Sequence, residues 1–143
     1  MQSPMRPSSI LETILYAADL EAARAFYADV LGLTLYSEMK GRHIFFRLSG
    51  QMLLIFNPDA TEVPPKPGAL PVPPHGARGP GHVCFAATAT EIEAWRAHLE
   101  ANGVAIESDF TWPNRDAAKQ GRSIYFRDPA GNSVEIAEAR IWG

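Results

Sequence analysis

The sequence predicts an α+β protein built from two β-α-β-β-β modules, and three observations predict it. The stretch GRHIFFR at residues 41–47 recurs as GRSIYFR at residues 121–127, with five of seven positions identical. Each copy runs through a short glycine-bearing turn into a second β-rich run, so each reads as a hairpin. Each hairpin is preceded, in the same order, by a strand-type run and a helix-type run. Repetition of the surrounding elements makes an internal duplication of the whole unit the better explanation than chance.

Taken in order, residues 1 to about 8 are polar and proline-bearing and are expected to form a loose arm. Residues 10–16, ILETILY, form a strand in which Glu12, Ile14 and Tyr16 share one face. Asp19 is the expected N-cap of a helix whose apolar stripe is Leu20, Ala23, Phe26 or Tyr27, and Val30 or Leu31, closed by Gly32. A strand from Leu33 to Ser37 and the first hairpin, 42–48 and 52–57, complete module 1, about residues 10–57. Residues 58–81 hold eight prolines and end in the glycine-rich HGARGPG, which excludes continuous helix or sheet and marks a linker.

Module 2, about residues 82–138, repeats the order. Its first strand, HVCFA, places His82, Cys84 and Ala86 on one face. Thr90 with Glu93 is the expected capping box of a helix buried along Ile92, Trp95 and Leu99 and closed by Gly103. A strand from Val104 to about Phe110, a loop over 112–120 and the second hairpin follow. In the hairpin turn DPAG, Pro129 presets φ and Gly131 accepts positive φ. Beyond it Val134 and Ile136 face one way while Glu135 faces the other. A strand carboxylate so placed needs water, a cation or another partner. Residues 139–143 form a tail with Trp142 as an aromatic anchor.

Composition bounds the function. A chain of 143 residues is one domain's worth. Its net charge of −3 and lack of a Lys/Arg block argue against nucleic-acid binding. No apolar run is long enough to span a bilayer, and the N-terminus lacks the apolar core of a signal peptide, so no membrane role and a cytoplasmic location are expected. Cys84 is the only cysteine, which excludes an intrachain disulfide, and its apolar neighbours predict a buried packing role. His43 and His98 are expected at the surface.

The doubled modules, the opening LYAADL…FYADVLGL, the Gly81-His82 strand and the closing YFRDPAGNSVE together resemble the vicinal oxygen chelate superfamily. That group contains glyoxalase I, bleomycin-resistance proteins, fosfomycin-modifying enzymes and extradiol dioxygenases. The resemblance covers roughly residues 10–138 and implies a curved mixed sheet around a cavity, commonly completed by homodimerisation. In metal-dependent members the ligands come from the first and last strands of each module. Matched residue by residue, those positions are Glu12, Leu54, His82 and Glu135. Histidine is usual where Glu12 stands, and Leu54 cannot ligate.

The implied site is therefore Glu12, His82 and Glu135 around one divalent ion (Mn, Fe, Zn, Ni or Mg), with open positions for vicinal oxygens of a small-molecule substrate. Glu135 and Tyr125 are the candidate catalytic groups, Tyr125 as a hydrogen-bond donor or weak acid. Phe45, Phe56, Trp112, Arg127 and His75 are candidate substrate contacts, His75 if the linker folds over the cavity. Two functions follow as expectations: a metal-dependent lyase, isomerase, transferase or dioxygenase, or a metal-free sequestering protein of the bleomycin-resistance kind.

Overall fold

The computed structural model describes residues 4–143. It contains two four-stranded mixed sheets with matching topology. Strands β1 (Glu12–Tyr16), β2 (Thr34–Met39), β3 (His43–Leu48) and β4 (Gln51–Phe56) form sheet 1 in the order β1-β4-β3-β2. Strands β5 (His82–Ala86), β6 (Ser108–Thr111), β7 (Arg122–Arg127) and β8 (Ser133–Ala137) form sheet 2 in the order β5-β8-β7-β6. In each sheet the first strand runs parallel to the last and the hairpin pairs antiparallel. The α+β class and the doubled module are thus as the sequence predicts. The expected arm has no regular structure from residue 4 to 11, and residues 1–3 lie outside the described residues.

Helix α1 (Leu20–Arg24) is capped by the Asp19 carboxylate and continues as a π-helical stretch over Ala25–Val30. The bond from Leu31 N–H to Phe26 C=O, at 3.0 Å, is the wider i→i+5 closure of such a stretch. An α-helical stripe would choose between Phe26 and Tyr27, but both are buried here. Phe26 packs on Phe126 of module 2, and Tyr27 packs on Phe46 of module 1. One helix therefore belongs to the core of both modules. Beneath it, Asp128 is 5% exposed and accepts from Tyr27 Oη (2.7 Å), Asn132 Nδ2 (2.9 Å) and the backbone N–H groups of Ala130 and Asn132. Asn132 in turn donates to Tyr16 C=O and accepts from Gly81 N–H. This polar latch ties the second hairpin turn to module 1, and Gly131 supplies the positive φ, 88°, that the turn requires.

Three boundaries differ from the sequence reading. The capping box of helix α3 (Ala89–Ala101) is Thr88 with Glu91, not Thr90 with Glu93. Glu93 instead pairs with Arg122 across from the helix. Strand β6 begins at Ser108, because Val104 and Ile106 are spent packing on the core before pairing starts. The linker opens with a single turn, α2 (Pro58–Thr61), since proline at the first helical position forfeits no hydrogen bond and Asn57 caps it.

Between neighbouring strands of sheet 2, Arg122 of β7 grips Asp109 of β6 through Nε (2.8 Å) and Nη2 (2.7 Å), while Arg96 of α3 reaches the same carboxylate. These guanidinium contacts, Arg122 first, hold the Asp109 carboxyl below the usual carboxylate range. A depressed folded-state pKa gives stabilisation that is complete above the unfolded value, near 4, and lost as pH falls. Asp109→Asn is expected to cost about 1 kcal/mol at neutral pH, the upper range for a partly exposed pair. The loss should shrink in thermal melts as the pH is taken below the ordinary aspartate range.

Candidate functional site

Alternation gives each sheet a core face and an open face. Leu15, Ile44, Phe46, Leu53 and Ile55 fill the core side of sheet 1, and Ile124, Phe126, Val134 and Ile136 fill that of sheet 2. On the open face of sheet 1, three cross-strand rows follow from the register: Glu12–Met52–Arg47, Ile14–Leu54–Phe45, and Tyr16–Phe56–His43. The matching rows of sheet 2 are His82–Ser133–Arg127, Cys84–Glu135–Tyr125, and Ala86–Ala137–Ser123. Position by position, the duplication has diverged. One face is polar around a carboxylate, and the other is apolar and aromatic, with Leu54 in the place of Glu135.

Glu135 is the hub of the polar face. Its side chain is only 7% exposed. Oε2 accepts from Ser123 Oγ at 2.6 Å, and Ser123 accepts from Trp112 Nε1 at 2.8 Å, so a short relay aims the carboxylate. Oε1 lies 3.1 Å from His82 Nε2. None of the arginines that could have balanced Glu135 bonds to it: Arg122 serves Asp109, Arg78 serves Asp59 and Glu62, and Arg127 serves Glu107.

The tautomer of His82 follows from its other nitrogen. Nδ1 lies 3.0 Å from Ser133 C=O, an oxygen that can only accept, so Nδ1 carries a proton. In the neutral ring Nε2 is then unprotonated, and its lone pair meets a carboxylate oxygen. Two acceptors at that distance repel unless a proton or a cation lies between them. Imidazole with its distal N–H tied to a backbone carbonyl is also how metal-ligating histidines are commonly oriented. The 3.1 Å separation suits two bonds of about 2.1 Å to a shared ion. This donor pair fits a divalent cation in chemistry and spacing.

Tyr125 stacks on His82 on one side and Phe110 on the other. Burial first, and then hydrogen bonding with and the charge of Glu135, push its phenol up to about 12. At neutral pH it is a protonated donor and not a base. Cys84 departs from the sequence reading. It is exposed on the open face, because β5 places it opposite Glu135 and not toward the core. Burial of the thiol among its neighbours and the adjacent carboxylate raise it to about 12, which leaves it a poor nucleophile.

The remaining expected site residues divide. Phe45 and Phe56 lie in edge contact on the sheet 1 face, at 5.4 Å between centroids, and His75 meets Phe56 edge-on at 4.7 Å. Trp112 packs on Phe110 beside the polar face. Arg127 is committed to Glu107 and to Gly131 C=O, so it braces the second hairpin turn rather than reaching toward a ligand. Glu12 is exposed at the end of sheet 1 and shares no hydrogen bond with His82 or Glu135. Within one chain the expected set of three does not meet at a point: among the described residues no three His, Cys, Asp or Glu side chains are placed to hold a metal ion together.

Sequence reasoning passed over Ser123, Phe110, Tyr16 and His43. His43 was expected at the surface, yet it stacks on Phe45 at 4.0 Å and 9°, its Nδ1 buried without a partner. Its place opposite Phe56 in the hairpin register was the available signal.

Comparison with known proteins now places this geometry. The profile of the Glyoxalase/Bleomycin resistance protein/Dioxygenase superfamily matches residues 9–136. The chain belongs to that superfamily. Among solved structures of superfamily type, a lactoylglutathione lyase from Agrobacterium tumefaciens superposes with a TM-score of 0.89 at 43% identity, over 97% of this chain and 99% of that one. A glyoxalase/bleomycin resistance protein/dioxygenase from Nocardioides does so at 0.70 and 27%, over 95% and 85%. The uncharacterized protein YaeR of Escherichia coli (strain K12) is 32% identical over 131 residues, 87% of this chain and 91% of YaeR. Among the described residues no helix is long and apolar enough to cross a membrane.

Proposed function

We propose that this superfamily member is a glyoxalase-like enzyme acting on a small molecule with neighbouring oxygens, and that His82 and Glu135 hold a divalent ion at its site. The observation that carries the reading is the His82–Glu135 pair, whose facing lone pairs call for a positive charge between them. The likeness to a lactoylglutathione lyase supports a lyase-type or isomerase-type reaction over oxygen activation. When bound, the ion would supply Lewis-acid polarisation of substrate oxygens. The chain's own groups divide the rest. Ser123 and Trp112 aim Glu135, Tyr125 offers a neutral hydroxyl to a developing oxyanion, and Phe110 and Trp112 wall the face against water.

Two donors are fewer than the three that open divalent sites commonly draw from protein. We assign the third to Glu12 of a second copy in a homodimer. In one chain β1 of sheet 1 touches β5 of sheet 2, and part of the open face stays exposed. Ile14, Phe110 and Trp112 stay 38–39% exposed there, which favours closure by another chain. A small-molecule substrate and a cytoplasmic setting complete the reading. Leu54 favours a second one, in which the aromatic face of sheet 1 sequesters a ligand without metal or chemistry.

Elemental analysis of protein purified without added metal, followed by titration with Mn²⁺, Ni²⁺ or Zn²⁺, separates the two. About one ion per chain is expected in the wild type, with binding weakened at least 100-fold in His82→Ala. Equal, weak binding by both proteins would leave the sequestering function.

A further inference from the structure

The linker delivers one polar group onto the aromatic face, and its placement is fixed by several anchors. His75 N–H donates to Thr61 C=O at 3.0 Å, on a residue that is 1% exposed. Three residues on, Arg78 bridges Asp59 (2.7 Å) and Glu62 (2.8 Å), clamping the strap to α2. Between them Gly76 runs so close to Glu62 that a Cβ would stand 2.6 Å from its Cγ. The ring then meets the edge of Phe56, and its Nδ1 lies 2.7 Å from Tyr16 Oη.

That last contact sets the ring's chemistry. A phenol is a good donor and a poor acceptor, so Tyr16 donates to Nδ1 and the neutral ring carries its proton on Nε2. Among the described residues His75 has one side-chain hydrogen bond, that to Tyr16 through Nδ1, and no group accepts from Nε2. Around it the surface is an aromatic corner: Phe45, with the His43 ring stacked on it, stands at 73° to the largely buried Phe56 ring, and Leu54 lies buried between the strands. Burial and neighbouring Arg42 disfavour protonation of His43, so it behaves as an uncharged wall.

We propose that His75 is a specificity-determining residue, held by Tyr16 with Nε2–H outward, that selects planar conjugated ligands bearing a carbonyl or similar acceptor oxygen. Tyr16 is its positioning residue. The ligand's flat body lies in the corner beside Phe45, with the edge of Phe56 at its end, and its oxygen accepts from Nε2. The inference rests on the reading of this face as half of a small-molecule site, but it does not require the ion.

Two simple probes test it on the full chain: 2-acetylnaphthalene, planar with an acceptor, and 2-ethylnaphthalene, planar without one. The wild type should prefer the acetyl compound about fivefold to tenfold, the range of one net hydrogen bond. His75→Phe should still bind the ethyl compound while the preference falls within twofold. Tyr16→Phe should lose part of the preference and show a mixed His75 tautomer in long-range ¹H–¹⁵N spectra, where the wild type shows Nε2–H alone. A wild type without preference, a preference that survives His75→Phe, or an Nδ1–H tautomer would each overturn the proposal. His82→Ala should keep the preference. Its persistence in a wild type that binds no divalent ion would remove the metal reading and leave this one in place.

Discussion

Asp128→Ala is expected to lower stability by about 3–5 kcal/mol, the range for breaking a buried, fully bonded charged group. In this chain the carboxylate satisfies four donors at once, and two of them, Tyr27 Oη and Asn132 Nδ2, are side chains that also join the modules. Alanine leaves Tyr27 Oη and the Asn132 N–H buried without an acceptor, and takes one of the two acceptors of Asn132 Nδ2. At roughly 3 °C per kcal/mol for a chain of this size, the melting temperature should fall by about 10 °C or more. Tyr27→Phe should cost less, since it removes one donor and leaves three. It should also change the alkaline limb. Burial first, and then Asp128, hold the Tyr27 phenol far above its ordinary range. The folded protein therefore keeps a proton that the unfolded chain gives up near pH 10. A raised folded-state pKa gives stability that is intact below the unfolded value and falls above it, at about 1.4 kcal/mol per pH unit. Denaturant melts from pH 9 to 11 should show a gentler decline for Tyr27→Phe than for the wild type. Parallel declines would mean that the phenol is not held as described.

Glu135→Leu should remove divalent-ion binding, by at least 100-fold, while leaving the fold in place. The substitution copies what the duplicated position already holds in sheet 1, where Leu54 packs at 6% exposure between Ile14 and Phe45 in the register. The half-exposed His82 can turn to water, so the cost falls on the buried Ser123 hydroxyl that loses its acceptor, about 1–3 kcal/mol. Thermal melts should therefore fall by less than about 10 °C and stay cooperative, which separates loss of the site from loss of the protein. Retention of Mn²⁺ affinity in this variant would show that the ion, if bound, is bound elsewhere. The contrast with Asp128→Ala is instructive. Both are buried acids, but Asp128 is bonded on every side by the fold, while Glu135 keeps one oxygen facing an imidazole that offers it no proton in the neutral state.

Much of this was legible in the chain itself. The repeat of residues 41–47 at 121–127 fixed the architecture, because side-chain alternation and turn chemistry are local properties and duplicated strings fold alike. The same alignment placed Leu54 opposite Glu135, and the strand register bears it out. Local pattern failed where a long-range contact chose between near-equal options. The π-helical stretch buried both Phe26 and Tyr27 because two modules, not one, needed a side chain. The cap is Thr88 with Glu91, while Glu93 is paired with Arg122 of a strand 29 residues away. Cys84 reads as core from its apolar neighbours, yet strand parity sends it to the open face with Glu135.

By itself the sequence determined the fold class, the duplicated module, the faces of each strand and the identity of the His82–Glu135 pair. Only the tertiary structure decided that Glu12 stands apart from that pair within one chain, that Arg127 is spent on Glu107, and that His75 reaches Tyr16 across 59 residues of chain. The physical reason is one of range. Alternation and capping act over a few residues, whereas the direction in which a histidine's lone pair points is set by a carbonyl or a phenol brought from another strand or loop.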